Sequence, residues 1–228
     1  MEALPRHTVV DRLETRLRDD IIVGCHPVGS LLPPERELAS RYGVNRTTLK
    51  HAFGRLVQAG LLETRHGVGT RVRDYLRLGG ADLLPTLVRH GSDWLGEIFE
   101  VRRTIGALIA ERAAVRATPQ QVSELGSLLA AVADADDTLA IQLADVEVHR
   151  GLARATGNRV YLLLTNTLFQ AYMPMRAALS RPFIDAQVAH DRLAGVVAAV
   201  AAGDPVAAKS EAESYLTATE RIMWECLR

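Results

Sequence analysis

Cysteine is scarce in this chain: Cys25 and Cys226 stand near opposite ends of 228 residues, in no metal-ligand spacing. A disulfide framework and a zinc knuckle are thereby excluded, and a reducing compartment fits. No run approaches the ~20 uninterrupted apolar residues of a membrane span, and the opening MEALPRHTVVDRLE lacks the apolar core of a signal peptide. A cytoplasmic protein without membrane attachment is expected. Net charge is missing too, with 27 Lys and Arg against 27 Asp and Glu; taken alone, that balance argues against a polyanionic partner. There is no repeat, no low-complexity stretch, no phosphate loop and no nucleophile motif.

What is present is an uneven distribution of charge. Between Arg36 and Arg73 lie eight basic residues and two acids, Glu37 and Glu63, and there is no acid between Arg41 and Gln58. A local excess of this kind suits a phosphate backbone. The same stretch is patterned. Val10, Leu13, Leu17 and Ile21 repeat with the helical period from His7 to Val23. Pro33 and Pro34 suit the start of a short helix that ends at Gly43. Asn45 caps a third helix with a buried stripe of Leu49, Ala52, Phe53, Leu56 and Val57, leaving Arg46, Thr47, Lys50 and Arg55 outward. Gly60 closes it. Leu61–Arg65 and Thr70–Arg73 then read as two strands around a tight His66-Gly67-Val68-Gly69 turn.

That order is a winged helix-turn-helix, and it makes DNA the first partner to consider. The free N–H groups of the third helix face phosphate, and side chains of its first turn reach base edges. Arg46 can pair with guanine, while Thr47, Thr48 and Lys50 can anchor phosphates. Gly67 permits close approach of the wing backbone, and His66 meets the minor groove or its edge. The competing reading is a winged-helix scaffold without sequence preference.

Beyond Asp74 the pattern is helical and alanine-rich, with breaks at Gly91, Thr118-Pro119, Gly157-Asn158, Arg181-Pro182 and Gly203-Asp204-Pro205. About five or six helices joined by short loops predict an antiparallel bundle. Pro174 should kink or end its helix. The fold class expected is mainly α, with a winged helix-turn-helix domain over residues 1–75 and an all-α bundle over 76–228, to which the resemblance given below assigns effector binding and dimerisation. One feature stands out there. Ile141, Asp145, His149 and Leu152 share one helical stripe, so two polar groups point inward and need partners. A divalent metal is one partner; a mutual hydrogen bond, or Arg102 from a neighbouring helix, is another. A metal-dependent enzyme using Asp145 and His149 is the rival class, without a recognisable general base or nucleophile beside them.

Residues 30–72, SLLPPERELASRYGVNRTTLKHAFGRLVQAGLLETRHGVGTRV, resemble the DNA-binding domain of the GntR family of transcription regulators, most of all its FadR branch. The resemblance implies operator contacts for Arg36, Arg46, Thr47, Thr48, Lys50, His66 and Gly67; at position 50 lysine replaces the more usual arginine, which preserves a phosphate contact but not a bidentate one. The segments EIFEVRRTIGALIAER, ADVEVHRGLARATGN and AAGDPVAAKSEAESYL are similar to the helical FCD domain that accompanies it. Many such domains hold a metal (Zn, Ni or Mn) through Asp-x3-His and two later histidines, and the metal helps bind a carboxylate. Asp145 and His149 match the first pair; the later positions carry Leu193 and Tyr215, with His190 one turn before Leu193 as a substitute. The fatty-acid-responsive members of the branch lack the metal and bind acyl-CoA. By this resemblance the effector is an acyl-CoA or a small carboxylate, and Arg102, Tyr172, Arg176, Tyr215 and Trp224 would line its pocket, although a Tyr or Trp in a bundle also serves as plain core. The expectation is a homodimeric, effector-responsive regulator, a repressor by the commoner family mode, bound to a near-palindromic operator.

Overall fold

The computed structural model describes residues 8–227 and divides into two compact units, one ending at Gly91 and the other beginning at Ser92. In the first, α1 (Val9–Ile22) begins with a reciprocal cap between Thr8 and Asp11 and buries Leu13, Leu17 and Ile21. Position His7, where this helix was expected to start, lies outside the described residues. Helix α2 (Glu35–Arg41) follows Pro34 and buries Leu38 and Ala39. The cap of α3 (Arg46–Gln58) is Asn45, whose side chain accepts from the Thr48 amide at 2.8 Å; such a cap stabilises by about 1 kcal/mol. Leu49, Ala52, Phe53 and Leu56 face the core. Val57, expected in that stripe, is instead exposed; at about 3.6 residues per turn it falls to one side of the Leu49, Ala52, Phe53 and Leu56 face.

Two strands, β1 (Leu62–Arg65) and β2 (Gly69–Val72), pair antiparallel with Leu62 opposite Val72 and Arg65 opposite Gly69, and Leu31 adds a single bridge to Arg71. Gly67 in the turn has φ +74°, a conformation that glycine adopts without the penalty other residues meet. At Gly60 a side chain is blocked twice over: φ is +75°, and a Cβ would lie 2.3 Å from the Leu78 carbonyl oxygen.

After the wing come α4 (Tyr75–Leu78), a 3₁₀ turn (Ala81–Leu83) and α5 (Leu84–His90). The expected domain boundary after residue 75 and the division after Gly91 differ by this segment. Leu83, Leu87 and Val88 are buried, α5 packs on α1, and Asp19 of α1 accepts from Arg89 at 3.1 Å and meets the His90 ring at 2.9 Å. Arg18 reaches Asp82 at 3.4 Å.

The second unit is all helical: α6 (Ser92–Arg116), α7 (Pro119–Ala133), α8 (Thr138–Ala155), α9 (Arg159–Tyr172), α10 (Ala186–Ala201) and α11 (Pro205–Glu225). Side chains of Thr118, Asp137, Asn158, Asp185 and Asp204 cap five of the starts. The break before α8 was not among those expected. Pro174 ends α9, and a 3₁₀ turn over Met173–Met175 takes its place. Helix α6 packs along α11, and α7 along α8 and α10. Phe99, Leu95, Leu125, Leu193 and Leu216 are fully buried, each such side chain contributing roughly 1.5–3 kcal/mol. Gly106 brings α6 close to α11: a Cβ there would lie 2.5 Å from Leu216 Cδ1.

Candidate functional site

Two constellations carry chemistry, one in each unit. On the first unit, α3 presents Arg46, Thr47 and Lys50 to solvent, with Thr48 half-buried behind them; Arg36 on α2 is exposed, as are His66 and Gly67 at the wing tip. All seven expected DNA-contact residues therefore lie on accessible positions, and helix α3 offers its amino end. Arg55 is exposed as expected, but its guanidinium is engaged within the fold. It reaches across to Asp11 and Glu14 of α1, and its bond to Asp11, together with the Thr8 cap, holds the Asp11 carboxyl down at about 2.

The sequence tally missed one acid. Glu35 lies just before the window that begins at Arg36, and its Oε2 stands 3.5 Å from Arg46 Nη2 and 4.0 Å from Lys50 Nζ. Glu37 pairs with Arg41 at 3.4 Å and Glu63 with Arg65 at 3.1 Å.

The second constellation is buried among α6, α8, α9 and α11. Arg102 is 5% exposed and Asp145 1%. The guanidinium of Arg102 lies 5.6 Å from the Phe169 ring centre and 5.8 Å from that of Tyr172, within reach of cation–π attraction. Tyr215 donates its hydroxyl hydrogen to Asp145 Oδ1. His149 packs between Phe169 and Tyr215, each ring centre 5.4 Å away, and its Nε2 is 3.6 Å from Asp145 Oδ2, too long for a hydrogen bond. Nor is this an ion pair: burial, then the Arg102 charge, push the His149 pKa down to about 3, so the ring is neutral. Burial pushes the Asp145 carboxyl up, against the Tyr215 hydrogen bond and the charges of Arg102 and Arg192. Burial opposes the Arg102 charge as well, against Tyr172, Tyr215 and Asp145, which favour it; a guanidinium stays charged in a protein interior.

Arg102 Nε and Nη2, Asp145 Oδ2, His149 Nε2, Gln142 Nε2 and Thr219 Oγ1 are buried without a hydrogen-bond partner. Beside Arg102 and His149 lies a cavity of about 30 Å³ walled by Ile105, Ile109, Leu152, Leu168, Phe169 and Leu216. Of the expected pocket residues, Arg102, Tyr172 and Tyr215 come together. Arg176 does not: it is exposed and bonds back to the Met173 carbonyl at 3.4 Å. Trp224 stacks edge-on to Phe99 at 6.0 Å instead of facing the cavity. Phe169, Gln142, Arg192 and Thr219 were missed; Gln142 alone carried a usable signal, one turn before Asp145 on the same inward stripe.

A metal does not fit these residues. The expected third ligand, His190, lies on α10 with its Nδ1 2.8 Å from Asp191 Oδ1, away from Asp145 and His149. Among the described residues no three His, Cys, Asp or Glu side chains gather in a metal-binding group. Position 193 is a buried leucine, position 215 a tyrosine that occupies one Asp145 oxygen, and a buried guanidinium would repel a divalent ion. No helix among the described residues is long and apolar enough to cross a membrane.

Comparisons with known proteins agree with both halves. Residues 9–72 match the family model for bacterial regulatory proteins, gntR family, and residues 97–218 match the FCD domain. The chain is 41% identical over 215 residues to the HTH-type transcriptional regulator Rv0494 of Mycobacterium tuberculosis, covering 94% of this chain and 89% of that one. It is 39% identical over 150 residues to the fatty acid metabolism regulator protein of Serratia proteamaculans, 64% of this chain and 62% of the relative. A GntR structure from Streptococcus agalactiae superposes with TM-score 0.53 at 26% identity, covering 93% and 99% of the two chains.

Proposed function

The chain belongs to the GntR family of bacterial regulatory proteins, carries an FCD domain, and is a transcription regulator and not an enzyme; from that premise we propose that it is an effector-responsive repressor whose effector is an acid with an apolar chain, bound without a metal. Arg36, Arg46, Thr47, Thr48, Lys50, His66 and Gly67 contact the operator. Two copies read the halves of a near-palindrome in the cytoplasm.

The observation that carries the effector assignment is Arg102: a buried cation with two nitrogens lacking a partner, beside an apolar cavity. Leaving a buried donor unpaired costs about 1–3 kcal/mol, more when it is charged. A carboxylate, or the carbonyl of an acyl thioester, accepts from those nitrogens while its hydrocarbon chain lies among Ile105, Ile109, Leu168 and Phe169. The name of the Serratia relative, a fatty acid metabolism regulator, supports this class.

A cavity of about 30 Å³ holds roughly one water, far less than an acyl chain. The ligand therefore selects an arrangement in which the surrounding helices have parted. That preference is the differential affinity any regulatory effect requires, and ordinary coupling between sites runs to about 1–3 kcal/mol.

The test is a melting-temperature screen of fatty acids, acyl-CoAs and short carboxylates, with and without chelator, followed by gel shifts on duplexes the protein retains. An acyl ligand should raise the melting temperature, unaffected by chelation, and release DNA. If chelator abolishes the shift, or only compounds without an acidic or acyl group produce one, the effector assignment is wrong.

A further inference from the structure

The carboxylate of Glu35 sits where a DNA-binding surface would be expected to have none. Its position at the start of α2 places Oε2 within 3.5 Å of Arg46 and 4.0 Å of Lys50, two cations one turn apart on α3. Like charges at that spacing repel. Helix α3 also has no acid in its first turn and begins with Arg46, so a cation stands at the positive end of a helix dipole. Glu35 offsets both. Exposed ion pairs add little to folding stability, and the Arg46 side chain is 65% exposed, so stability is a poor reason for an acid here.

We infer that Glu35 is a specificity-determining residue: by engaging Arg46 and Lys50 it weakens binding to arbitrary duplex more than binding to the cognate site. This rests on the DNA-reading role proposed above. On arbitrary sequence, attraction comes from phosphates, and both cations must leave the carboxylate, which is then stranded in a field of negative charge. On the cognate site, a guanidinium that spends two N–H groups on a guanine keeps others free, so Arg46 can hold base and Glu35 together. The stranded charge acts as a penalty against wrong partners.

The probes are a duplex enriched by the full-length wild-type protein from a randomised pool and a scrambled duplex of equal composition, with affinities measured by fluorescence anisotropy over a salt series. Glu35→Gln should tighten the scrambled duplex several-fold and the enriched one under about twofold, lowering their ratio roughly threefold, and steepen the salt slope on scrambled DNA by about one ion. Glu37→Gln removes the same charge from the Arg41 pair and should leave the ratio unchanged. Glu35→Ser repeats the first variant, and unchanged melting temperatures establish that both fold. An enriched-to-scrambled ratio equal to wild type in both Glu35 variants, or an equal drop in Glu37→Gln, overturns the inference while leaving DNA reading intact. A wild-type protein that enriches no duplex overturns the DNA reading and this inference with it.

Discussion

Arg46 and Arg102 carry the same group into opposite surroundings. Arg46 stands in solvent with a loose acidic partner 3.5 Å away; Arg102 is enclosed by aromatic rings with two nitrogens unpaired. The exposed arginine can exchange one anion for another at small cost because water covers the difference. The buried one has little to exchange with, since the cavity beside it holds roughly one water, so an acceptor supplied by a ligand counts for more there. On the function proposed above, the first would serve fast, salt-sensitive exchange of anions and the second a ligand that changes the fold around it.

The comparison can be broken most decisively at the buried end. Arg102→Met should lose about 2–5 kcal/mol of acyl-ligand affinity, the usual cost of truncating one side of a buried charged hydrogen bond, while the ligand-free protein still binds its enriched duplex; isothermal titration and anisotropy read the two effects. Retained ligand affinity would remove the contrast altogether. Next in size is acid sensitivity. The folded His149 pKa lies near 3, below the ordinary 6.5, so its contribution to stability is present above pH 6.5 and is lost as pH falls toward 3, by about 1.4 kcal/mol per unit. Urea unfolding between pH 7 and 4.5 should show a shallower pH dependence in His149→Phe, a change the surrounding Phe169 and Tyr215 rings can accommodate.

At the exposed end, Arg46→Ala should cost about 1–3 kcal/mol of discrimination between enriched and scrambled duplex and shift the melting temperature hardly at all; a large drop in stability would mean Arg46 is a structural group like Arg55. The smallest expected effect is nil: chelator should leave both the melting temperature and the ligand response unchanged, since Tyr215 and Arg102 stand where a metal would need donors. A chelator-dependent melting shift would reinstate the metal.

The two regions also differed in how far they could be read in advance. Cap, stripe and turn are local: Asn45, the Leu49–Leu56 stripe and the glycine-bearing turn each follow from neighbours in sequence, so the winged domain and its outward cations were legible. The inward direction of Asp145 and His149 was legible for the same reason. Their partners were not. Tyr215 meets Asp145 across 70 positions, and periodicity says that a side chain points in without saying what it meets. Arg176 and Trp224, chosen for residue type, face elsewhere, and His190 points to Asp191 on its own helix. Glu35 fell one residue outside the basic stretch, and a charge count along the chain cannot in any case register its pairing across the α2–α3 turn. The segment 76–91 was assigned to the bundle by its helical character, which cannot reveal that Leu87 and Asp19 tie it to α1.

That tie has a practical consequence for anyone exchanging sensors between regulators. A hybrid joined at residue 75 would discard α5, uncover the flank of α1 on which it rests and leave Asp19 without Arg89 and His90. The compact unit that contains α1 ends at Gly91, so a splice placed there should keep α5 with the helix it rests on.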